Sequence, residues 1–491
     1  AKGSNPDRKE EFVSVIRQVL GDIVKNGIDR KAVEAGINYF EFRYREADFS
    51  SYPKGLMYSL DILGDWLYEK GNPFAQVQQL TVFEKLKKAV NAGYFEELIR
   101  KYLLENPHGC IMTLVPKKGL AAQREKELEE KLEAYRSSLS EEQLDAMVEK
   151  TKALEAYQEA GEDPKALECI PMLKRSDIKR EAAKIINEEL TVDDSLFLYH
   201  DVCTNGIGYV DLMFKTDSIA PEQIPYLGLL KSVLGYVDTE NYTYGELFNE
   251  INANTGGINC GVEVFDRADS TEEFQAMFSV RGKALYTKMD FLFKMIGEIL
   301  NSSKLEDTKR LYEIVASVKS RAQVNLTGAG HSTAVLRAAA YSSPMAAFQD
   351  EMAGIGYYQF IEKLEKDFEQ RKEETVEELC KLMKKILRPE NFMISYTGER
   401  ESLETVQKLT GTVKAGLGTE PVEKSKEKLT CTKKNEGFKT SGQVQYVAQT
   451  GNFKKKGLEY TGALEILKVI LSYDYLWMNL RVKGGAYGCM S

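Results

Sequence analysis

Apolar side chains near the start of the chain recur every three or four positions, the spacing of one helical face. Between residues 12 and 23 these are Phe12, Ile16, Val19, Leu20 and Ile23. Gly27 ends this helix, and a second helix is predicted over 29–46. The apolar run NPHGCIMTLVP at 106–116 predicts a short strand that Pro116 ends. We therefore predict helices followed by a strand within residues 1–117.

Residues 118–190 are highly charged and contain few glycines, and their apolar positions form two short helical stripes. The stripes are Leu128, Leu132, Tyr135 and Leu139, then Leu144, Met147, Val148, Leu154 and Tyr157. Between them, Ser140 and Gln143 have the spacing of a capping box, which starts a helix. Two antiparallel helices joined by a tight turn are predicted. A partner-binding coiled coil is the alternative, disfavoured because each stripe is short.

Residues 191–400 mix strands and helices in the manner of an α+β unit. The run at 195–214 predicts a strand, an Asn-Gly turn and a second strand. A helix follows at 224–237, and glycines lead into a strand within 254–266. Longer helices then precede a last strand within 390–399.

The end of the chain begins with a polar, lysine-rich stretch, most simply an exposed connector, which we place at 401–425. The last part is 426–491. It contains a predicted strand, GQVQYVAQTG at 442–451, and an apolar helix at 457–480 that leads to Arg481.

Two pairs of segments indicate an internal repeat. QVLGDIV at 18–24 matches KMIGEIL at 294–300, and the run at 94–116 recurs at 375–398. Each copy of the longer run has E-E-L, a helix and a proline-marked turn into a strand. Chance similarity between amphipathic helices is the alternative, but the matched proline, glycine and terminal strand favour one α+β fold used at least twice.

Composition narrows the function classes. The chain is 43% hydrophobic, enough for packed cores, and its net charge of -9 argues against nucleic acid or an anionic membrane as partner. No run approaches the roughly 20 apolar residues of a membrane span. The seven cysteines are scattered, without C-x-x-C spacing, and are interpreted as buried thiols of a reducing compartment. The chain starts without methionine, and we expect both ends to be cuts through a longer protein.

Five motifs together resemble the presequence-protease branch of the pitrilysin/insulinase family of zinc metallopeptidases. They are EFRYREADFSSYPKGL, WLYEKGNPF, YLLENPH, GAGHSTAVLRAAAYSS and RVKGGAYG. The resemblance covers essentially the whole chain and implies four homologous α+β domains. Two domains form each half, and a helical hairpin joins the halves around a peptide-degrading chamber. It implies that 1–117 is the C-terminal part of the second domain, 118–190 the linker, 191–400 the third domain and 426–491 the start of the fourth.

The resemblance also implies a zinc ion held by an H-x-x-E-H motif of the first domain and a distant glutamate. Histidines four residues apart share a helical face and can bind one metal. The three histidines of this chain, His108, His200 and His331, lack that spacing. We predict that His108 is a turn residue and that His200 is a half-buried strand residue. His331 is predicted either to cap a helix or to contact a peptide.

The helix at 224–237 resembles the family's zinc-motif helix, but its chemistry is lost. The five motif positions read Leu227, Gly228, Leu229, Leu230 and Lys231. Two leucines and a lysine cannot hold zinc. We therefore expect zinc in the intact parent protein and none bound by this chain.

RVKGGAYG resembles the family's C-terminal substrate clamp. The resemblance implies catalytic roles for Arg481 and Tyr487, which would donate to the oxyanion formed during peptide hydrolysis. Gly484 and Gly485 would leave room for the substrate backbone. The alternative is structural: Arg481 complements a helix C-terminus, the glycines cap it, and Tyr487 packs in a strand.

These expectations describe a portion of a cytoplasmic zinc endopeptidase that degrades unfolded peptides and is inactive alone. Its expected partners are peptide substrates and the missing N-terminal half, with no nucleic acid and no membrane. The alternative is a non-catalytic scaffold or partner subunit of the same family. The predicted linker disfavours it, because a linker between halves belongs to single-chain enzymes.

Overall fold

A computed structural model describes residues 5–68, 71–267, 269–425, 427, 429–440 and 442–491. The α-helices, numbered in chain order, are α1 (Lys9–Asn26), α2 (Arg30–Glu46), α3 (Lys54–Trp66), α4 (Leu80–Ala89), α5 (Tyr94–Ile99), α6 (Leu120–Ser138), α7 (Glu141–Glu159), α8 (Pro164–Leu167), α9 (Ile224–Val233), α10 (Tyr244–Asn254), α11 (Met289–Ser302), α12 (Thr308–Gly328), α13 (Gly330–Ala340), α14 (Pro344–Ala353), α15 (Ile355–Lys366), α16 (Phe368–Ile386), α17 (Leu403–Ala415) and α18 (Ala463–Ile470). The strands are β1 (Glu188–Val192), β2 (Ser195–Asp201), β3 (Ile207–Lys215), β4 (Ile258–Asp266), β5 (Phe274–Leu285) and β6 (Phe392–Gly398).

The chain divides into two compact units. One contains the described residues up to Ile28 together with Asn91–Ile185, and the other contains Asp29–Val90 and Ile186–Ser491. The predicted α+β fold class is confirmed, since helices surround a single six-stranded sheet in the described residues. The domain boundaries placed at 117, 190, 400 and 425 stay predictions.

The first unit is helical. α1 packs against α5 and against the π-helix Arg100–Leu104, which continues α5. As predicted, α1 ends at Gly27, whose φ of 89° favours glycine. The carboxylate of Glu96 accepts the backbone N–H of Ile28 at 3.0 Å, which ties the end of α1 to α5.

The two helices predicted after residue 118 are confirmed as α6 and α7. Ser140 Oγ accepts the N–H of Gln143 at 3.3 Å, and Gln143 Oε1 accepts the N–H of Ser140 at 2.9 Å, so the predicted capping box is formed. The apolar stripes stay exposed, with Leu132 57% and Leu154 54% accessible. These helices therefore gain their stability from local bonds and caps rather than from burial.

The second unit is built on the sheet, whose strand order is β1-β2-β6-β3-β5-β4. β2 and β6 run parallel, and the other neighbouring pairs are antiparallel. The turn at Asn205 and Gly206, with φ of 55° and 80°, is formed as predicted. β2 and β3 nevertheless do not pair, because β6 lies between them. The five residues 202–206 can bridge this gap, since strands two places apart lie only about 9.5 Å apart.

β6 carries the strict alternation of a strand with one buried face. Phe392, Ile394 and Tyr396 are buried, and the residues between them are partly exposed. Tyr396 stacks on Tyr199 of β2, with ring centroids 6.1 Å apart and an interplanar angle of 15°. Helices α9, α11 and α17 pack on the strands and complete the core.

Three local predictions differ from the structure. The segments 106–116 and 442–451, predicted to be strands, belong to no strand of the described sheet. Apolar alternation alone cannot hold a strand, which needs a neighbour to satisfy its backbone. The stretch taken as a connector contains α17, whose Leu403, Val406 and Val413 are buried. The charged residues of this helix, Glu404, Lys408 and Lys414, lie outside the buried stripe.

The cysteines are also less buried than expected. Cys110, Cys169 and Cys203 are exposed, and the remaining four are partly exposed. All seven are free thiols.

The second unit contains a nearly buried ion-pair network around Arg337 of α13. Its Nη1 lies 2.5 Å from Asp350 Oδ2, and its Nε lies 2.8 Å from Glu436 Oε2. The Tyr341 hydroxyl donates to the same oxygen of Glu436 at 2.7 Å. The hydrogen bonds from Arg337 chiefly hold the pKa of Glu436 down at about 2. This network fastens the strand-free segment around residue 436 to α13.

We predict that Glu436→Gln lowers the free energy of unfolding by about 1.5–3 kcal/mol at neutral pH, the range for hydrogen bonds to charged groups. Because the folded pKa is depressed, the carboxylate stabilises the protein fully above its unfolded pKa, and this contribution is lost as pH falls towards 2. Urea midpoints of parent and variant should therefore converge between about pH 5 and pH 2. Glu404→Gln, which breaks an exposed pair with Lys408, is the control and should change little. A pH-independent gap would contradict the assignment.

Candidate functional site

The predicted clamp residues lie at the end of the last helix. α18 continues as the π-helix Leu471–Lys483, which contains Arg481. The N–H of Gly485 bonds the carbonyl of Arg481 at 3.1 Å, and the N–H of Ala486 bonds the carbonyl of Leu480 at 2.9 Å. This is a Schellman-type cap, one residue wider because it follows a π-helix.

Both glycines are required by this cap. Gly485 has a φ of 70°, in the left-handed region. A Cβ on Gly484 would lie 2.7 Å from the carbonyl oxygen of Leu480, which is backbone and cannot easily move. The substrate-binding role given to Gly484 and Gly485 stays a prediction, and their capping role is observed.

Arg481 and Tyr487 are both accessible. The guanidinium carbon of Arg481 lies 3.8 Å from the ring centroid of Trp477, a close cation–π contact that holds the side chain against its own helix. Tyr487 is 95% exposed and, within the described residues, its hydroxyl has no partner. Tyr487 lies outside any strand of the described residues. Their catalytic roles stay predictions.

The three histidines lie apart. His108 is an exposed turn residue whose N–H bonds Asn106 Oδ1 at 2.9 Å. His200 is half-buried in β2, with Nδ1 2.7 Å from the Ile186 carbonyl and Nε2 3.0 Å from Ser395 Oγ. His331, exposed near the start of α13, contacts the Tyr446 ring at a centroid distance of 6.3 Å. The described residues contain no cluster of three or more His, Cys, Asp or Glu suited to a metal ion.

The degenerate motif lies on α9, the most deeply buried helix of the second unit. Leu227, Leu229 and Leu230 are inaccessible or nearly so. A Cβ on Gly228 would lie 2.5 Å from the Met352 carbonyl, so glycine lets α9 approach α14 closely. Lys231 is the exception. It is half-buried and faces a cleft.

This cleft has a volume of about 690 Å³ and lies between α2, α10 and the start of β4. At Gly256, which lines the cleft, a Cβ would overlap the phenyl ring of Phe42 of α2. Beside it, Glu46 Oε2 lies 2.6 Å from Lys283 Nζ, and Glu46 Oε1 accepts from the Tyr209 hydroxyl at 3.0 Å. Burial, followed by the charge of Glu46, raises the pKa of Tyr209. Sequence reasoning missed this cleft, and its one signal was a lysine within an otherwise apolar helix.

Comparison with known proteins gives the family. The family model that describes the region associated with peptidase M16, subfamily C, matches residues 114–364, slightly more than half of the chain. The chain belongs to this peptidase-associated family. The presequence-protease branch of the pitrilysin family, inferred from five motifs, is confirmed.

The curated relatives agree. Protein HypA of Clostridium perfringens is 38% identical over 100% of this chain and 50% of its own length. Presequence protease 1, chloroplastic/mitochondrial, of Arabidopsis thaliana is 28% identical over 99% of this chain and 45% of its own length. This member of the family therefore spans about half the length of the curated relatives it matches. A peptidase M16 inactive domain from Pseudomonas fluorescens aligns with a TM-score of 0.34 and 13% identity, over 48% of this chain and 52% of that one.

The described part of the chain has no helix that is both long enough and apolar enough to cross a membrane.

We predict that Gly485→Ala loosens the helix end without unfolding the protein. An alanine at this φ costs about 1–2 kcal/mol, so the amide of Ala486 should exchange with deuterium at least about five-fold faster. Gly488→Ala, at a glycine without positive φ, is the control. Equal exchange in the parent and Gly485→Ala would show that the cap is not formed.

Proposed function

We propose that this chain is part of a zinc-dependent endopeptidase that degrades unfolded peptides inside a closed chamber, and that it supplies chamber wall and an Arg/Tyr clamp. The proposal rests on how much of this chain aligns with peptidases. The whole chain aligns with about half of a protein named presequence protease, and further relatives bear the same name. Zinc, the peptide substrates, a cytoplasmic location and the N-terminal half as partner are all parts of this proposal.

Among the described residues, no group of side chains fits a zinc site. The degenerate motif positions on α9 are buried leucines, and the three histidines lie on separate elements. Any metal used in catalysis would therefore be held by other parts of the protein. What this chain can contribute is hydrogen-bond donors.

The geometry of the last helix suits a clamp. Two backbone hydrogen bonds cap the helix, and the phenol of Tyr487 after the cap is exposed. A phenol O–H and a guanidinium both donate to a developing oxyanion and accept nothing from it. Such donors stabilise the transition state more than the bound peptide, so they act on kcat more than on KM.

The second candidate is a non-catalytic scaffold of the same family. The chain's two-helix segment favours the enzyme, because α6 and α7 fit a linker between the halves of a single-chain peptidase. Turnover is what separates the two candidates.

We predict that Tyr487→Phe lowers kcat by roughly 10²–10³ when the chain is supplied with the remaining half, by fusion or by mixing. The substrate is a peptide of about 20–30 residues, and KM should change less than kcat. Arg481→Ala should act in the same direction. Tyr475→Phe and Lys483→Ala are matched controls on the same exposed helix end and should leave kcat unchanged. Near-parental kcat for Tyr487→Phe, or a large drop in melting temperature, would make these residues structural.

We also predict that the chain alone holds no stoichiometric zinc after dialysis. Metal analysis by mass spectrometry is the measurement. A retained equivalent that disappears in His200→Ala or His331→Ala would overturn the proposed division of labour.

A further inference from the structure

The cleft beside β4 is positively charged, although the chain as a whole carries -9. Its charged lining residues are Arg43, Lys231, Lys283, Arg321, Glu46 and Asp48. Four are cations and two are anions, and Lys283 is neutralised by its pair with Glu46. Charge complementarity therefore favours an anionic ligand.

Three of these cations lack an ion-pair partner in the described part of the chain. Arg43 donates to the Tyr39 hydroxyl at 3.4 Å, and neither Arg321 nor Lys231 forms an ion pair. The charge of Glu263 acts on Lys231, but the contact of this carboxylate is with Arg281, at 3.1 Å. Lys231 is the most enclosed of them, and burial lowers the pKa of its amine. A half-buried ammonium without a contacting counter-ion is costly, and an incoming carboxylate would reduce that cost.

The cleft also borders an unpaired strand edge. β4 is the last strand of the sheet, and no described strand pairs with its other side. The N–H of Lys283 bonds the Gly257 carbonyl, and the N–H of Arg267 bonds the Glu273 carbonyl, so odd-numbered residues of this strand bond β5. In an antiparallel pair the bonding residues alternate. The backbone groups of Ile258 and Cys260 therefore point away from β5, towards the cleft side.

The side chain of Cys260 is partly exposed and packs against the core, and burial raises the pKa of its thiol to about 12. Its outward backbone groups are therefore what this residue offers at the free strand edge. An extended chain laid along Ile258–Cys260 would find main-chain partners there.

We propose that this cleft binds the free α-carboxylate end of an extended peptide, with Lys231 receiving the carboxylate and the edge of β4 receiving the peptide backbone. The site is separate from the Arg481/Tyr487 clamp. It deepens the proposed peptidase function and rests on it only for the class of ligand.

The combination of features selects this ligand. A small inorganic anion would satisfy Lys231 but would leave the edge of β4 unpaired. An amidated or internal peptide segment would satisfy the strand edge but not the ammonium. The amide side chains of Asn249 and Asn259, which also line the cleft, can donate to or accept from a peptide backbone.

The test is a binding titration with this chain alone. The probe is an N-terminally fluorescein-labelled, proline-free peptide of about ten residues, alternating Thr and Val, prepared as free acid and as C-terminal amide. Fluorescence anisotropy at neutral pH should show the acid binding about ten-fold or more tightly than the amide, the effect of one charge-assisted hydrogen bond. Because no turnover is measured, this result is independent of whether the restored peptidase is active.

Two variants separate the two contacts. Lys231→Met should abolish the preference for the acid, while Lys309→Met, an exposed lysine outside the cleft, should preserve it. Cys260→Pro removes the outward N–H without removing a bond to β5, and should weaken acid and amide alike by about two- to ten-fold. Cys260→Ala keeps the N–H and is its control. Thermal melts establish that each variant is folded, and Lys231→Met decides the question if Cys260→Pro does not fold.

Three outcomes would overturn the proposal. They are equal affinity for acid and amide in the parent, an unchanged acid preference in Lys231→Met, and inorganic phosphate binding as tightly as the acid peptide. The last would identify an anion site with no role for the strand edge.

Discussion

The pairing of β6 with both β2 and β3 holds the second unit together. In the described sheet, β1 and β2 lie on one side of β6, and β3, β5 and β4 lie on the other. Without the ladders of β6 the sheet would separate into a two-stranded and a three-stranded part. The Tyr199 hydroxyl reinforces the junction by donating to the Gly398 carbonyl at 3.1 Å. Because a two-stranded hairpin is marginal in water, the fold depends on this late strand returning to the middle.

That central position decides which surfaces remain open. β4 pairs only with β5 and forms the edge of the described sheet opposite β1, and the start of β4 borders the cleft that Lys231 faces. α9 packs between the sheet and the neighbouring helices, so nearly all its side chains are buried. Lys231, near the C-terminal end of α9 and beside the cleft, is the one charged residue of this helix. The motif positions of α9 are thus buried leucines that cannot bind a metal, and its one lysine lies beside the free edge of β4.

At the end of the chain, the observed capping role of the glycines is compatible with the proposed clamp. The glycines after Arg481 are required by the cap, whatever the clamp does. The cap in turn leaves Tyr487 in solvent rather than in the core. A glycine-capped helix end is therefore a suitable support for a donor that acts on a substrate, and the capping alternative does not exclude the clamp.

The sequence by itself determined the local elements and the family. α1, its glycine stop and the capping box at Ser140 follow from short-range spacing, which needs no partner elsewhere in the chain. Five motifs were enough to identify the peptidase family. The sequence could not determine pairing. Asn205-Gly206 indicated a turn, but whether β2 and β3 pair across it depended on β6, almost 200 residues later.

Tertiary structure also decided burial and the cleft. The apolar runs at 106–116 and 442–451 have strand patterns, yet no neighbouring strand satisfies their backbone in the described residues. α17 lies just before the lysine-rich stretch, and only its packing against α11, β1 and β6 shows that it carries a buried stripe. Lys231 looked merely unable to bind a metal. In the structure, Lys231 is a half-buried cation in a cleft formed by α2, α10 and β4. These segments are far apart in the chain, so the cleft exists only in the folded protein.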